Sequence, residues 1–374
     1  MIGPTVAGFP MSASFEQAKA FFMQGLVHYG AGRFAEAERD YMASLALLPA
    51  RPSTLTNLGA TRLKLGRAGS ALQPLDAALA LEADNTEALG HRAAALAELG
   101  RHGAALDDLD RLLALAPGLG HAWSLRGRLL KEMGRPGEAA EAFRQALAHG
   151  ADAELNRYFL ASVSPAPAPS GPPRHYVENL FDGYAGDFEL HLLQTLEYRA
   201  HLVLAGRLAQ QDRRFSCALD MGCGTGLCGA AVRPLAGRLE GIDLSANMVQ
   251  RARALGLYDE VTQAELVAYL QGAGPPYDLV VAADVFIYVG ALEAAFAAVA
   301  ARIAPGGMFC FSVEAAPEST DYVLRPSLRY AHSRRYLSRL AAQAGFGVEA
   351  IESQPIRKDQ GAPVPGLFAW LVRP

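Results

Sequence analysis

The chain has 374 residues, enough for two or three domains that each bury a core of their own. Apolar residues make up 51% and charged residues 19%, the balance of a soluble globular protein, and a net charge of −4 without any dense Lys/Arg cluster argues against a nucleic-acid partner. The four cysteines, Cys217, Cys223, Cys228 and Cys310, have no CxxC spacing, so neither a metal site nor a disulfide framework is expected. No apolar run reaches bilayer length, and the first residues lack the basic-then-apolar order of a secretion signal. A cytoplasmic protein is the expectation.

The N-terminal half repeats itself. Gly-Arg occurs at Gly32-Arg33, Gly66-Arg67, Gly100-Arg101 and Gly134-Arg135, giving four units of 34 residues each: 18–51, 52–85, 86–119 and 120–153. The eighth place of each unit holds Gly25, Gly59, Ala93 or Gly127, and the twenty-fourth holds Tyr41, Leu75, Leu109 or Phe143. Small residues let two antiparallel helices cross closely, and the glycine of each Gly-Arg pair ends the first helix in a left-handed backbone. This period and pattern resemble the tetratricopeptide repeat, which implies an all-α solenoid with a groove suited to a protein partner. Repeats of that family that clamp a terminal carboxylate carry lysine and asparagine in the groove. Phe22, Leu26 and Glu87 stand there instead, which excludes that use.

Residues 154–163 read as one more amphipathic helix that caps the array, so the repeat domain is expected over 15–163. Residues 164–173 hold five prolines with serine and glycine and read as a semi-rigid linker. The remaining residues, 174–374, start with an aromatic-rich stretch containing Tyr176, Phe181, Tyr184 and His191. From Phe215 onward, short apolar strands alternate with helices, which predicts a parallel sheet with helices on both faces and ligands at the carboxyl ends of its strands. Strands are predicted at 217–220, 239–243, 277–284 and 308–314.

The turn after the first of these strands reads Asp220-Met-Gly222-Cys-Gly224-Thr-Gly226. Its alternate glycines do not give the GxGxxG phosphate spacing, and an acid immediately before them would repel a pyrophosphate. Such a turn suits a ligand with a cationic amine and a sulfonium. Residues 215–314 resemble class I S-adenosylmethionine-dependent methyltransferases, whose most discriminating motif is this one. The whole order of segments resembles bacterial tetratricopeptide-repeat methyltransferases. The fold implied is multidomain: an all-α solenoid followed by an α/β Rossmann-like domain.

The resemblance implies S-adenosyl-L-methionine as cofactor. Asp220 and the backbone of Gly222, Gly224 and Gly226 would hold its methionine part, and Asp243 its ribose hydroxyls. Leu244 and Met248 would flank the adenine, Glu265 would accept the adenine amino group, and Tyr176 and Tyr184 would belong to a lid. For a base, Asp284 and His332 are the candidates, with Tyr288 and Glu314 nearby. The stretch from Arg329 to Tyr336 is suited to an anionic small molecule. The expected reaction is methyl transfer to a small molecule, with the repeats mediating protein contacts or covering the site. A protein acceptor recruited by the repeats, or a cofactor-binding scaffold without turnover, are the alternatives.

Overall fold

The computed structural model describes residues 13–165, 167–184, 191–211, 213–359 and 361–374. The chain divides between Asn156 and Arg157 into two compact units. No described helix is long and apolar enough to cross a membrane.

The first unit is built from helix pairs: α1 (Ala13–Gly30) with α2 (Phe34–Leu47), α3 (Pro52–Lys64) with α4 (Ala68–Leu81), α5 (Thr86–Glu98) with α6 (His102–Leu115), and α7 (Gly120–Glu132) with α8 (Pro136–Ala148). Gly32, Gly66, Gly100 and Gly134 have φ of +70° to +73°. The arginine after each glycine folds its N–H back onto the helix just ended, as from Arg67 to Arg62, Arg101 to Leu96 and Arg135 to Leu130, each at 2.8 Å. The eighth place of a repeat lies against the twenty-fourth. A Cβ on Gly25 would come within 2.6 Å of Tyr41, one on Gly59 within 2.4 Å of Leu75, and one on Gly127 within 2.6 Å of Phe143. Successive repeats are also tied by charge, Arg92 reaching Asp76 at 2.8 Å and Arg126 reaching Asp110 at 2.7 Å.

Helix α9 (Ala153–Val163) spans the division between the units. In the second unit the proline stretch is hydrogen-bonded in place: the Ser170 carbonyl accepts from Gly290 and Ala291 at 2.9 Å each, and the Pro169 carbonyl accepts from the Tyr330 hydroxyl at 2.9 Å. Helices α10 (Arg174–Tyr184) and α11 (Ala200–Gln210) precede the sheet. Five parallel strands form its centre in the order β3-β2-β1-β4-β5, with β1 Phe215–Met221, β2 Ala236–Asp243, β3 Glu260–Gln263, β4 Tyr277–Ala282 and β5 Ile303–Ala315. The order reverses direction between β1 and β4, where the crevice of such a sheet opens.

Beyond β5 the sheet changes character. The last strand, β9 (Ala362–Val372), runs antiparallel along β5 from Met308 to Glu314, and β8 (Gly347–Asp359) pairs with β9. A small hairpin, β6 (Tyr322–Leu324) and β7 (Tyr330–His332), attaches to the final residues of β5. One sheet face buries Phe286, Phe296, Phe309 and Phe311, and the other buries Leu204, Phe215, Phe368 and Trp370. Burying a phenylalanine contributes about 1.5–3 kcal/mol, so these layers hold the strand ends rigid for the site above them.

Candidate functional site

The carboxyl ends of β1, β2 and β4 meet in a cavity of about 890 Å³, one wall of which is α10. This lies at the upper end of the ~300–1,000 Å³ usual for ligand clefts and leaves room for two small ligands side by side.

Three glycines with positive φ shape the turn after β1: Gly222 at +70°, Gly224 at +53° and Gly226 at +104°. A Cβ on Gly222 would stand 2.5 Å from Val285, so both the backbone and the space require glycine there. Gly222 and Gly224 line the cavity. Gly226 does not. It starts the helix α12 (Leu227–Val232) and packs against Leu255, which a Cβ would approach to 2.5 Å. Its expected cofactor contact is therefore corrected to a packing role.

Asp220 calls for a second correction. It is 1% exposed, does not line the cavity, and accepts the Tyr258 hydroxyl at 2.6 Å. Burial raises its pKa to about 6. The acid is buried against Tyr258 and is not presented at the cavity surface.

Asp243 ends β2 and faces the cavity. Its Oδ2 accepts the Gly224 N–H and its Oδ1 the Ser245 N–H, both at 2.9 Å. These bonds fix the carboxylate and join the first two strand ends. Each oxygen keeps a further lone pair, so two hydroxyls on neighbouring carbons fit the acceptor set. Burial raises this pKa as well. Leu244 and Met248 line the cavity beside it, as does Leu266, giving apolar walls for a planar base. Glu265 also lines it, but both of its oxygens cap the helix α13 (Leu266–Gln271), accepting from Val267 at 3.0 Å and Ala268 at 2.8 Å. The acceptor set and its apolar walls thus fit the cofactor that the sequence resemblance implies.

Tyr176 lies in the α10 wall and packs edge-on against Phe159. Phe181, in the same wall, meets Tyr288 edge-on at 5.1 Å. The wall is anchored by Asp182, whose Oδ1 accepts the Ser245 hydroxyl and whose carbonyl accepts the Asn247 side chain at 3.1 Å. Tyr184 ends α10, and its side chain, like that of His191, lies outside the described residues.

At the other pole, Asp284 follows β4 with a left-handed φ of +62°. That backbone costs on the order of 1–3 kcal/mol, so surrounding contacts must hold it. Its N–H donates to the Ser312 hydroxyl at 2.9 Å, and its Oδ2 accepts from Arg357 at 2.7 Å. Arg357 also donates to Glu314, which in turn accepts from Arg325 at 2.7 Å. Sequence reasoning missed Arg357. It lies on β8, 73 residues from Asp284, and an arginine in a strand gives no local sign of burial.

His332 is not a base of this cavity. It is fully buried in β7, its Nε2 lies 2.9 Å from the Gly290 carbonyl, and its ring stacks on Tyr336. Burial lowers its pKa to about 4, so the ring is neutral and structural. The feature that does reach the cavity from this region is the β6–β7 turn, through Ser327, Leu328 and Arg329.

A family described as "Methyltransferase domain" matches residues 219–309, and one described as "Tetratricopeptide repeat" matches residues 120–148. The chain is 32% identical over 191 residues to a ubiquinone biosynthesis O-methyltransferase of Bordetella avium, covering 45% of this chain and 76% of that protein. It is 33% identical to a trans-aconitate 2-methyltransferase of Paracidovorax citrulli, covering 34% of this chain and 46% of that one. Among solved structures, the N-methyltransferase NodS of Bradyrhizobium japonicum, in complex with S-adenosyl-L-homocysteine, aligns with 53% of this chain and 98% of its own, at 18% identity and a TM-score of 0.43.

Proposed function

The chain belongs to the S-adenosylmethionine-dependent methyltransferases, and from that premise we propose that it methylates a small molecule bound in the cavity between the strand ends and α10. The cavity's two poles are the observation that carries this reading. One pole, around Asp243, offers paired acceptors and apolar walls. The other, around Asp284, offers tyrosines and arginines, with Tyr198, Tyr288, Arg329 and Arg357 among the lining residues. The relatives named for ubiquinone biosynthesis and for trans-aconitate support an acceptor of small size.

S-adenosylmethionine supplies the methyl group and its leaving group. The chain's own residues bind, orient and exclude water. Asp243 would accept the ribose hydroxyls, Leu244, Met248 and Leu266 would flank the adenine, and Glu265 would stand at its amino edge. The Gly222–Gly224 backbone lines the cavity without side chains, so a ligand could approach its main chain closely. Tyr176 and Phe181, carried on α10, would keep solvent from a ligand bound in the cavity. Asp284, locked to Arg357, fixes the acceptor pole. The repeats provide a surface for a protein partner, a role supported by Met23, Leu26 and Val27, which α1 leaves exposed.

Calorimetric titration with S-adenosylmethionine and S-adenosylhomocysteine tests the cofactor half. Wild-type binding lost by at least ~30-fold in Asp243→Ala is expected, since two charge-assisted hydrogen bonds are each worth about 1.5–3 kcal/mol. Labelled methyl transfer to small molecules, set against transfer to protein, tests the other half. Label appearing only on protein would favour an acceptor recruited by the repeats.

A further inference from the structure

The acceptor pole lacks an obvious base. Among the described residues lining the cavity, the carboxylates are Asp243, Glu265 and Asp284. Asp243 and Glu265 each receive two backbone N–H groups, and Asp284 is ion-paired to Arg357 with its other oxygen buried. Cys223 and Cys228 line the same cavity, and burial raises both thiols well above their ordinary value. Tyr198 and Tyr288 are likewise raised by burial. His332, the imidazole expected to serve, faces the Gly290 carbonyl instead.

The same pole carries a cation with spare capacity. Arg329 lines the cavity, and the nearest carboxylate paired with it, Asp359, stands 3.8 Å away and half-exposed. The turn that presents Arg329 is held firmly. The Arg325 N–H donates to the Arg329 carbonyl and the Leu328 N–H to the Arg325 carbonyl, both at 2.9 Å. The Leu328 carbonyl accepts the Tyr158 hydroxyl at 2.6 Å, and the Arg325 side chain is pinned to Glu314 at 2.7 Å. Leu328 is strained, with φ of +62°. Tyr288 shares a side-chain hydrogen bond with Arg329, which uses part of the guanidinium's five N–H donors, and both residues line the cavity together with Asp284 and Arg357.

The geometry points to a carboxylate as the methyl acceptor, anchored by Arg329, with a methyl ester as the product. This rests on the reading of the cavity as the site of methyl transfer. A carboxylate is already ionised at neutral pH, so no base is needed. One oxygen pairs with the guanidinium while the other attacks. An O–CH₃ bond forms, the S–CH₃ bond breaks, and its electron pair stays on sulfur as a neutral thioether. No proton is released.

The test uses the full chain saturated with S-adenosylhomocysteine and titrated with benzoate, cinnamate and hexanoate, each beside its uncharged carboxamide. At least one carboxylate is expected to bind at least tenfold more tightly than its amide. Arg329→Gln should remove that advantage without altering S-adenosylhomocysteine affinity, and Arg329→Lys should restore part of it. With labelled S-adenosylmethionine, the label transferred to that carboxylate should be released by alkali. Equal binding of acids and amides, no carboxylate binding, an unchanged Arg329→Gln chain, or alkali-stable label would each overturn the proposal. If S-adenosylhomocysteine itself fails to bind, the first titration shows it, and the methyl-transfer reading of the cavity falls before any carboxylate is added.

Discussion

Asp220 and His332 are both buried and titrate in the same pH range with opposite consequences. The pKa of Asp220 rises to about 6 from 3.8, so the folded chain holds this proton more tightly than the unfolded one. Its contribution therefore makes stability fall as pH rises through that interval. His332 drops to about 4 from 6.5, so the unfolded chain takes up the proton first, and stability falls as pH drops through that interval. Each effect is on the order of 3 kcal/mol, and in the wild-type chain they largely offset each other. Asp220→Asn should leave a melting temperature that declines on acidification below pH 6.5. His332→Gln should leave one that declines as pH rises from 4 to 6. Melting curves across pH 4–7 would check both, and parallel profiles in the two variants would refute the assignment. Arg357→Met should cost about 3–5 kcal/mol by stranding the charge of Asp284 and leaving Glu314 with Arg325 alone, measurable by urea denaturation. At this scale the sequence was legible where a residue's role is local. Asp243 and Gly222 could be placed because strand end and turn are adjacent in the chain. Asp220, His332 and Arg357 could not, because burial and pairing depend on residues far away in sequence.

Among elements, the repeats were the most legible part, because their spacing is set by a contact within each helix pair. Gly127 meets Phe143 and Gly59 meets Leu75, so the period of small residues is itself a packing pattern. Gly127→Ala should destabilise the first unit by about 1–3 kcal/mol through overpacking. Gly137, in α8 with open space around its Cα, offers the contrast: Gly137→Ala should stabilise by about 0.5–1 kcal/mol. Hydrogen exchange over residues 120–148 would read both, and equal effects would contradict the packing argument. The β6–β7 hairpin was less legible. Arg329 to Tyr336 reads as the approach to a helix, yet three of its residues form a buried strand on the end of β5. Three-residue strands are too short to show alternation.

For the molecule as a whole, the division after Asn156 separates two compact units, and the cavity lies in the second. Calorimetric melting should show two transitions, of which S-adenosylhomocysteine raises only that of the second unit. At 100 times its dissociation constant the ligand should add about 2.7 kcal/mol to that unit. A shift of both transitions by the same amount would mean that the cores unfold as one.

The long hairpin β8–β9 has a consequence for how the protein is born. Asp284 leaves the ribosome 73 residues before its counter-charge, Arg357, and at about 5–20 residues per second that is a wait of roughly 4–15 s. Through that interval β5 lacks its antiparallel neighbour, and Asp284 has no cation to meet. The growing chain therefore cannot close the acceptor pole while it is still short of β8, and a ribosome stalled between the two would display an open, sticky sheet edge to chaperones.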